Sequence, residues 1–151
     1  MPAKKQLIIL LADDDKDDQL YFARALKRIE IPTTLEIVDD GEALMNYFSH
    51  DRDVFPDILF LDVNMPRKNG MECMTQIMAN TKIKKFPIII YSTSFNGAVA
   101  DIFYKNGAQY YLRKNDFSEL VAYLKFILDK LNSNTLKQVD REDFVLSSRP
   151  I

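Results

Sequence analysis

The sequence predicts an α/β fold, a doubly wound parallel sheet with helices on both faces, and three observations carry that reading. Apolar runs of strand length recur at Leu7–Ala12, Asp57–Leu61 and Pro87–Tyr91. Segments with helical apolar spacing alternate with them, which is the βαβ pattern, and runs apolar on both sides belong to strands buried on both faces. The chain has 151 residues, 47% of them apolar, which matches the length and core material of one compact domain.

Each element follows from its residues. Leu7-Ile8-Ile9-Leu10-Leu11-Ala12 is the first strand, ended by Asp13. Lys16 to Ile29 places Leu20, Phe22, Ala23, Leu26 and Ile29 near helical spacing with polar residues opposite, the pattern of a surface helix. Thr34–Val38 is a second strand, and Asp39-Asp40-Gly41 supplies a turn and cap before a helix from Glu42 to Phe48. Asp57–Leu61 is the third strand, entered from Pro56. Asn69-Gly70 opens a helix through Ala79, and Pro87–Tyr91 is the fourth strand. Gly97–Asn106 is helical, Gln109–Leu112 is a short fifth strand, and a last helix runs from about Phe117 to Leu131. Five strands result, in a domain spanning 1–132. Residues 133–151 hold too little apolar material for a second core and read as a tail that docks, with no separate output domain.

Composition excludes several function classes. A formal net charge of -2 with 28% charged residues gives no overall positive field for nucleic acid or an anionic membrane. One cysteine, Cys73, and one histidine, His50, exclude disulfide frameworks, zinc knuckles and histidine-based triads, so any metal is held by oxygen. The four glycines, Gly41, Gly70, Gly97 and Gly107, form no phosphate-cradling loop. Leu7–Ala12 is too short to span a bilayer or serve as a signal core, and a soluble cytoplasmic domain is expected.

Ligands of an open parallel sheet bind beyond the carboxyl ends of its strands, where strand order reverses. At those ends stand Asp13, Asp14 and Asp15, then Asp62, then Ser92, Thr93 and Ser94, then Lys114. Carboxylates about 5 Å apart repel by about 3 kcal/mol per ionised pair at an effective dielectric of 20, so the cluster calls for a cation. Mg2+ suits it, taking one or two carboxylates, a carbonyl and waters, and bridging to a phosphoryl oxygen. Asp62 is the candidate nucleophile toward phosphorus, and the Asn64 main-chain carbonyl is placed by spacing as a further ligand. Ser92 would donate to a phosphoryl oxygen, and Lys114 would ion-pair with it.

These motifs, in this order, resemble the receiver domain of two-component response regulators, the family of the chemotaxis regulator. The likeness runs from about Lys5 to Leu131. It rests on Asp13-Asp14 after Ile-Leu-Leu-Ala, Asp62 in Asp-Val-Asn-Met-Pro-Arg-Lys-Asn-Gly, Ser92 after Pro-Ile-Ile-Ile-Tyr, and Lys114 in Tyr-Tyr-Leu-Arg-Lys. The resemblance implies a flavodoxin-like sheet of order 2-1-3-4-5. It implies Mg2+ on Asp13 and Asp14, a phosphoryl group on Asp62, Ser92 as switch hydroxyl, Lys114 as charge partner and Tyr111 as aromatic switch. The partners implied are a sensor histidine kinase or phosphotransfer protein and a downstream protein target that the sequence does not name. The readout is expected on the fourth helix, fifth strand and fifth helix. The acidic opening, Ser92-Thr93-Ser94 and the tail are similar to small stand-alone regulators paired with bacterial phytochromes. Two residues depart from the family pattern: Asn115 replaces the Pro that usually follows the lysine, and Thr93 replaces the usual Ala or Gly.

Plainer roles compete at several positions. Asp15, Asp17 and Asp18 suit the N-terminus of the first helix, as cap and dipole partners. Asp39-Asp40-Gly41 reads as a turn and cap, Tyr110 as packing, and Cys73 as a small buried residue. His50 reads as solvated, so the phosphoryl donor must come from outside. The apolar triplet Phe144-Val145-Leu146 and the amphipathic last helix leave room for a homodimer. Two other functions fit less well. A haloacid-dehalogenase-type phosphatase needs a second Asp where Asn64 stands, and a receiver-like interaction module without phosphate has no need of the full acidic set.

Overall fold

The computed structural model describes residues 6–49, 55–114 and 116–147. His50, Asn115 with its peptide bond to Lys114, and the final residues 148–151 lie outside the described residues. The chain alternates strand and helix as β1 (Leu7–Ala12), α1 (Lys16–Leu26), β2 (Thr33–Val38), α2 (Gly41–Ser49), β3 (Ile58–Leu61), α3 (Gly70–Ala79), β4 (Ile88–Ser92), α4 (Gly97–Lys105), β5 (Tyr110–Arg113) and α5 (Phe117–Asn132). A three-residue 3-10 turn at Arg141–Asp143 and a two-residue strand, β6 (Val145–Leu146), follow. The expected five-stranded sheet is therefore corrected to six, all parallel, in the order β2-β1-β3-β4-β5-β6. A two-residue strand carries no periodicity of its own, and the unpaired edge of β5 is what makes it a strand.

Alternation along the strands divides the core into two layers. On β1, Ile9 and Leu11 join Phe22 of α1 and Leu124 and Ile127 of α5. Leu10 and Ala12 face the other way, toward Leu44 of α2, Met74 of α3 and Phe103 of α4. Ile9, Leu10, Leu11 and Ala12 are all fully buried. That double burial is why β1 is apolar without interruption.

Helix starts follow local capping chemistry. Asp15 caps α1 by accepting from the Asp18 N–H at 3.0 Å. Asn69 and Glu72 form a reciprocal capping box on α3 at 2.9 and 3.0 Å. Asn96 and Asp116 cap α4 and α5. α1 stops at Leu26 instead of continuing to Ile29, because the last turn tightens: the Arg28 and Ile29 N–H groups donate to Ala25 and Leu26. Ile29 remains in the core.

The segment after α5 runs along the β5 edge. Asn134, in the left-handed region at φ 59, turns the chain out of α5, and the Thr135 N–H closes the turn on the Lys130 carbonyl at 2.8 Å. Gln138 donates to the Tyr104 and Ala108 carbonyls at 2.7 and 2.9 Å, and the Tyr104 hydroxyl donates to the Val139 carbonyl at 2.6 Å. Phe144 is completely buried against Tyr104 and Tyr111, so the triplet that left room for self-association is anchored in its own chain. Phe144→Ala should lower unfolding free energy by about 3–5 kcal/mol in urea denaturation, the range for removing a buried Phe side chain. A loss under about 1 kcal/mol would mean that the tail is not part of the cooperative core.

Candidate functional site

Sheet topology sets the site. Strand order reverses at β1, with β2 on one side and β3 on the other, so the carboxyl ends of β1 and β3 frame a crevice. The ladder continues past the strand ends and fixes the backbone there. The Asp13 N–H donates to Val38 O at 3.1 Å, the Asp62 N–H to Ala12 O at 3.0 Å, and the Lys114 N–H to Ser92 O at 2.9 Å.

Two glycines close the loop after β3. A Cβ on Gly70 would lie 2.4 Å from the Asp62 carbonyl oxygen, and one on Gly41 would lie 1.9 Å from the Lys68 carbonyl oxygen. Neither backbone could come so near a side chain, so the loop folds back on Asp62 and seats against the start of α2. Asp40 does cap that helix, accepting from the Ala43 N–H at 2.7 Å, and it also pairs with Arg67 at 3.2 Å.

Asp13, Asp14 and Asp62 converge: each offers a carboxylate oxygen, and these oxygens lie within 4.8 Å of one another. Asp13 and Asp62 are buried, whereas Asp14 is exposed at the mouth of the cleft. Lys114 reaches in from β5. Its Nζ lies 2.8 Å from Asp13, 2.8 Å from Asp18 and 3.7 Å from Asp62, and 5.1 Å from the Tyr91 ring centroid. Burial pushes the Asp62 carboxyl up to about 6 against the pull of Lys114, and the charge of Asp13 adds to the rise. Burial likewise raises Asp13, although its hydrogen bond from Lys114 opposes this. For Lys114, burial alone would lower the value, but hydrogen bonds to Asp13 and Asp18 and the charge of Asp62 carry it to about 12. The cleft is thus short of positive charge. Three hard oxygen donors crowded in this way fit a divalent cation and suit no softer metal.

The remaining residues lie on the β4 side. Ser92 is fully buried at the end of β4, its Oγ 3.2 Å from Ser94 Oγ. Asn64 lines the cleft and donates through its side chain to Ser94 Oγ at 3.1 Å, while exposed Thr93 stands at the mouth. Tyr111 is buried and donates its hydroxyl to the Ser94 carbonyl at 2.6 Å. Cys73 is buried as expected, and burial lifts its thiol to about 11.

Three contributors were not legible as such in the sequence. Asp18 does stand in the first turn of α1, as a dipole partner would, but its carboxylate also holds Lys114. Gln19, buried, donates to the Asp13 carbonyl at 2.6 Å and to Asp39 at 2.8 Å, tying β1, α1 and the end of β2 together. The one available signal was a polar residue on the apolar side of α1, three places before Phe22. Tyr91 hides within an apolar strand run, and its face toward Lys114 follows only from the fold.

The chain is similar to known proteins over most of its length. The family described as response regulator receiver domain matches residues 9–125. Response regulator Rcp1 of Synechocystis sp. is 32% identical over 93 residues, which cover 59% of this chain and 63% of that protein. Among solved structures, the phosphorylated cyanobacterial phytochrome response regulator RcpA superposes with a TM-score of 0.74 at 29% identity, over 86% of this chain and 96% of that one. The Mn2+-bound form of Rcp1 gives 0.72 at 28% identity, over 88% and 96%. With the acidic crevice, its lysine and the sheet that holds them all accounted for, the chain belongs to the response regulator receiver domain family, a signalling family whose members bind a divalent metal.

Proposed function

We propose that the chain is a phospho-accepting switch: a sensor histidine kinase or phosphotransfer protein loads Asp62, Mg2+ assists, and the loaded form changes how a downstream protein is bound. The observation that carries this reading is a buried carboxylate, Asp62, set beside two further carboxylates and 3.7 Å from one lysine. With its value near 6, Asp62 is about nine-tenths ionised at pH 7 and can act as a nucleophile. Asp13, Asp14, Asp62 and the Asn64 carbonyl would hold Mg2+, which when bound neutralises charge on the phosphoryl oxygens. An Asp62 oxygen forms the new O–P bond as the donor's P–N bond breaks, and the bonding pair stays with the imidazole nitrogen. Lys114 then exchanges a carboxylate partner for a phosphoryl oxygen, and the Ser92 hydroxyl donates to another. Phytochrome partnership is the finer reading, resting on the RcpA and Rcp1 likenesses. No helix among the described residues is long and apolar enough to cross a membrane, and a cytoplasmic setting suits this chemistry. Asn64, whose amide is engaged with Ser94, supplies no acid for phosphatase turnover.

Incubation with Mg2+ and acetyl phosphate, read by intact mass, should add one phosphoryl group that is absent in Asp62→Asn. No adduct under any loading condition, or sustained turnover of a phosphate monoester, would overturn the proposal. A second expectation concerns the ion alone. Mg2+ at about 100 times its Kd should raise unfolding free energy by about 2.7 kcal/mol. Asp14→Asn, at an exposed position, should remove most of that gain while leaving the metal-free stability near its starting value, as followed by thermal melts over an Mg2+ series.

A further inference from the structure

One element stands apart from the acid cleft yet touches the residue next to it: the segment 134–147, which lies on the free edge of β5 and the flank of α4. We propose that this segment is a strap whose seating and the inward position of Tyr111 form a single two-state element, so that loading Asp62 tightens the strap and a seated strap favours the loaded state. The inference rests on Asp62 being the loaded residue.

Contacts run without a break from the cleft to the strap. Asn64 donates to Ser94 Oγ, which lies 3.2 Å from Ser92 Oγ, and the Ser94 carbonyl accepts from the Tyr111 hydroxyl at 2.6 Å. The Tyr111 N–H donates to the Phe144 carbonyl at 3.0 Å, and Tyr111 pairs in register with Val145. The Tyr111 ring meets Phe144 edge-on at 6.4 Å, and Phe144 meets Tyr104 of α4 at 5.1 Å. Phe144 therefore fills the gap between α4 and the β5 edge, the direction in which the phenol would leave the core. The Tyr111 ring also meets Phe95 and Phe103 edge-on, and in this proposal an outward phenol requires Phe144 to lift.

Outside Phe144 the strap is lightly held. β6 is two residues long and lies at the edge of the sheet. Its outer end is held by an ion pair between half-buried Arg141, whose guanidinium also lies 5.7 Å from the Phe144 ring centroid, and exposed Asp101, and by the side chain of Gln138. Contacts of this kind open locally at low cost, and the burial of Phe144 is what lifting the strap must overcome. If loading draws Ser92 toward the phosphoryl group and favours the inward phenol, it must also favour the seated strap. Linkage makes the effect reciprocal and equal in size.

Hydrogen–deuterium exchange on the full chain, with loading on Asp62 verified by intact mass in the same sample, tests the coupling. Peptides covering 137–147 should exchange at least about fivefold more slowly in the loaded form, the low end of common coupling factors. Beryllofluoride with Mg2+, a non-covalent stand-in for the phosphoryl group, should bind more weakly by the same factor to Phe144→Ala. The combined surface variant Gln138→Ala/Arg141→Ala should bind it more weakly as well, and that variant keeps the test open if Phe144→Ala fails to fold. In a Tyr111→Leu background the surface substitutions should have no further effect. Absence of any adduct on Asp62 overturns the loading and the strap together. An adduct with unchanged or faster strap exchange, or strap substitutions that weaken binding equally in Tyr111→Leu, overturns the strap alone.

Discussion

Everything at the carboxyl edge of the sheet is organised around one ammonium group shared among carboxylates. Lys114 lies within 2.8 Å of both Asp13 and Asp18 and 3.7 Å from Asp62, in a pocket that exposes little of any of them except Asp18. At the separation found here, each ionised carboxylate pair repels by about 3 kcal/mol at an effective dielectric of 20. One lysine faces four carboxylates here, and burial, which disfavours the anion, raises Asp13 and Asp62 further. The imbalance is tolerable because the backbone at Asp13, Asp62 and Lys114 is held by ladder hydrogen bonds that extend the sheet past its strand ends. A site held on loops alone would relax by moving its charges apart, whereas this one can be relieved only by adding a cation or shifting the lysine.

The rigid and the movable parts are separated by layer. The side of the sheet under α1 and α5 holds Phe22, Phe60 and Tyr91 in edge-on contact, and Tyr91 presents its ring to Lys114. That side is a fixed wall. The opposite side carries Ser94, Phe95, Tyr111 and the tail, where contacts run through hydroxyls, a loop carbonyl and a two-residue strand. Asp62 thus lies between an aromatic wall on one side and a chain of hydroxyl and loop-carbonyl contacts on the other.

Much of the fold was legible because strands buried on both faces leave uninterrupted apolar runs, and the residue ending each run falls at the sheet's carboxyl edge by construction. Asp13, Asp62, Ser92 and Lys114 all end strand runs, and the structure brings Asp13, Asp62 and Lys114 into contact while Ser92 connects through Ser94 to Asn64 of the cleft lining. Contacts made by long side chains across the sheet were not legible. Asp18 satisfies the helix-start pattern whether or not it holds Lys114, Gln19 reaches Asp39 at the end of β2, and Tyr91 faces Lys114 past the end of β5. β6 escaped for a different reason: its pairing is dictated by the unsatisfied edge of β5, and Val145-Leu146 has too short a pattern to declare itself.

The cost of burying Asp62 in this acidic cleft is measured most directly by the titration of Asp62 itself, followed through its carboxyl carbon by NMR with and without Mg2+. Burial disfavours the anion, so metal-free Asp62 should titrate near 6, above its value in the unfolded chain. The folded chain then binds the extra proton between about pH 4 and pH 6, and ionising Asp62 across that window lowers metal-free stability as pH rises. Saturating Mg2+ should bring the midpoint down by more than about one unit, since a nearby cation favours the anion. An Asp62 that titrates near 4 without metal, and is unmoved by Mg2+, would contradict the account.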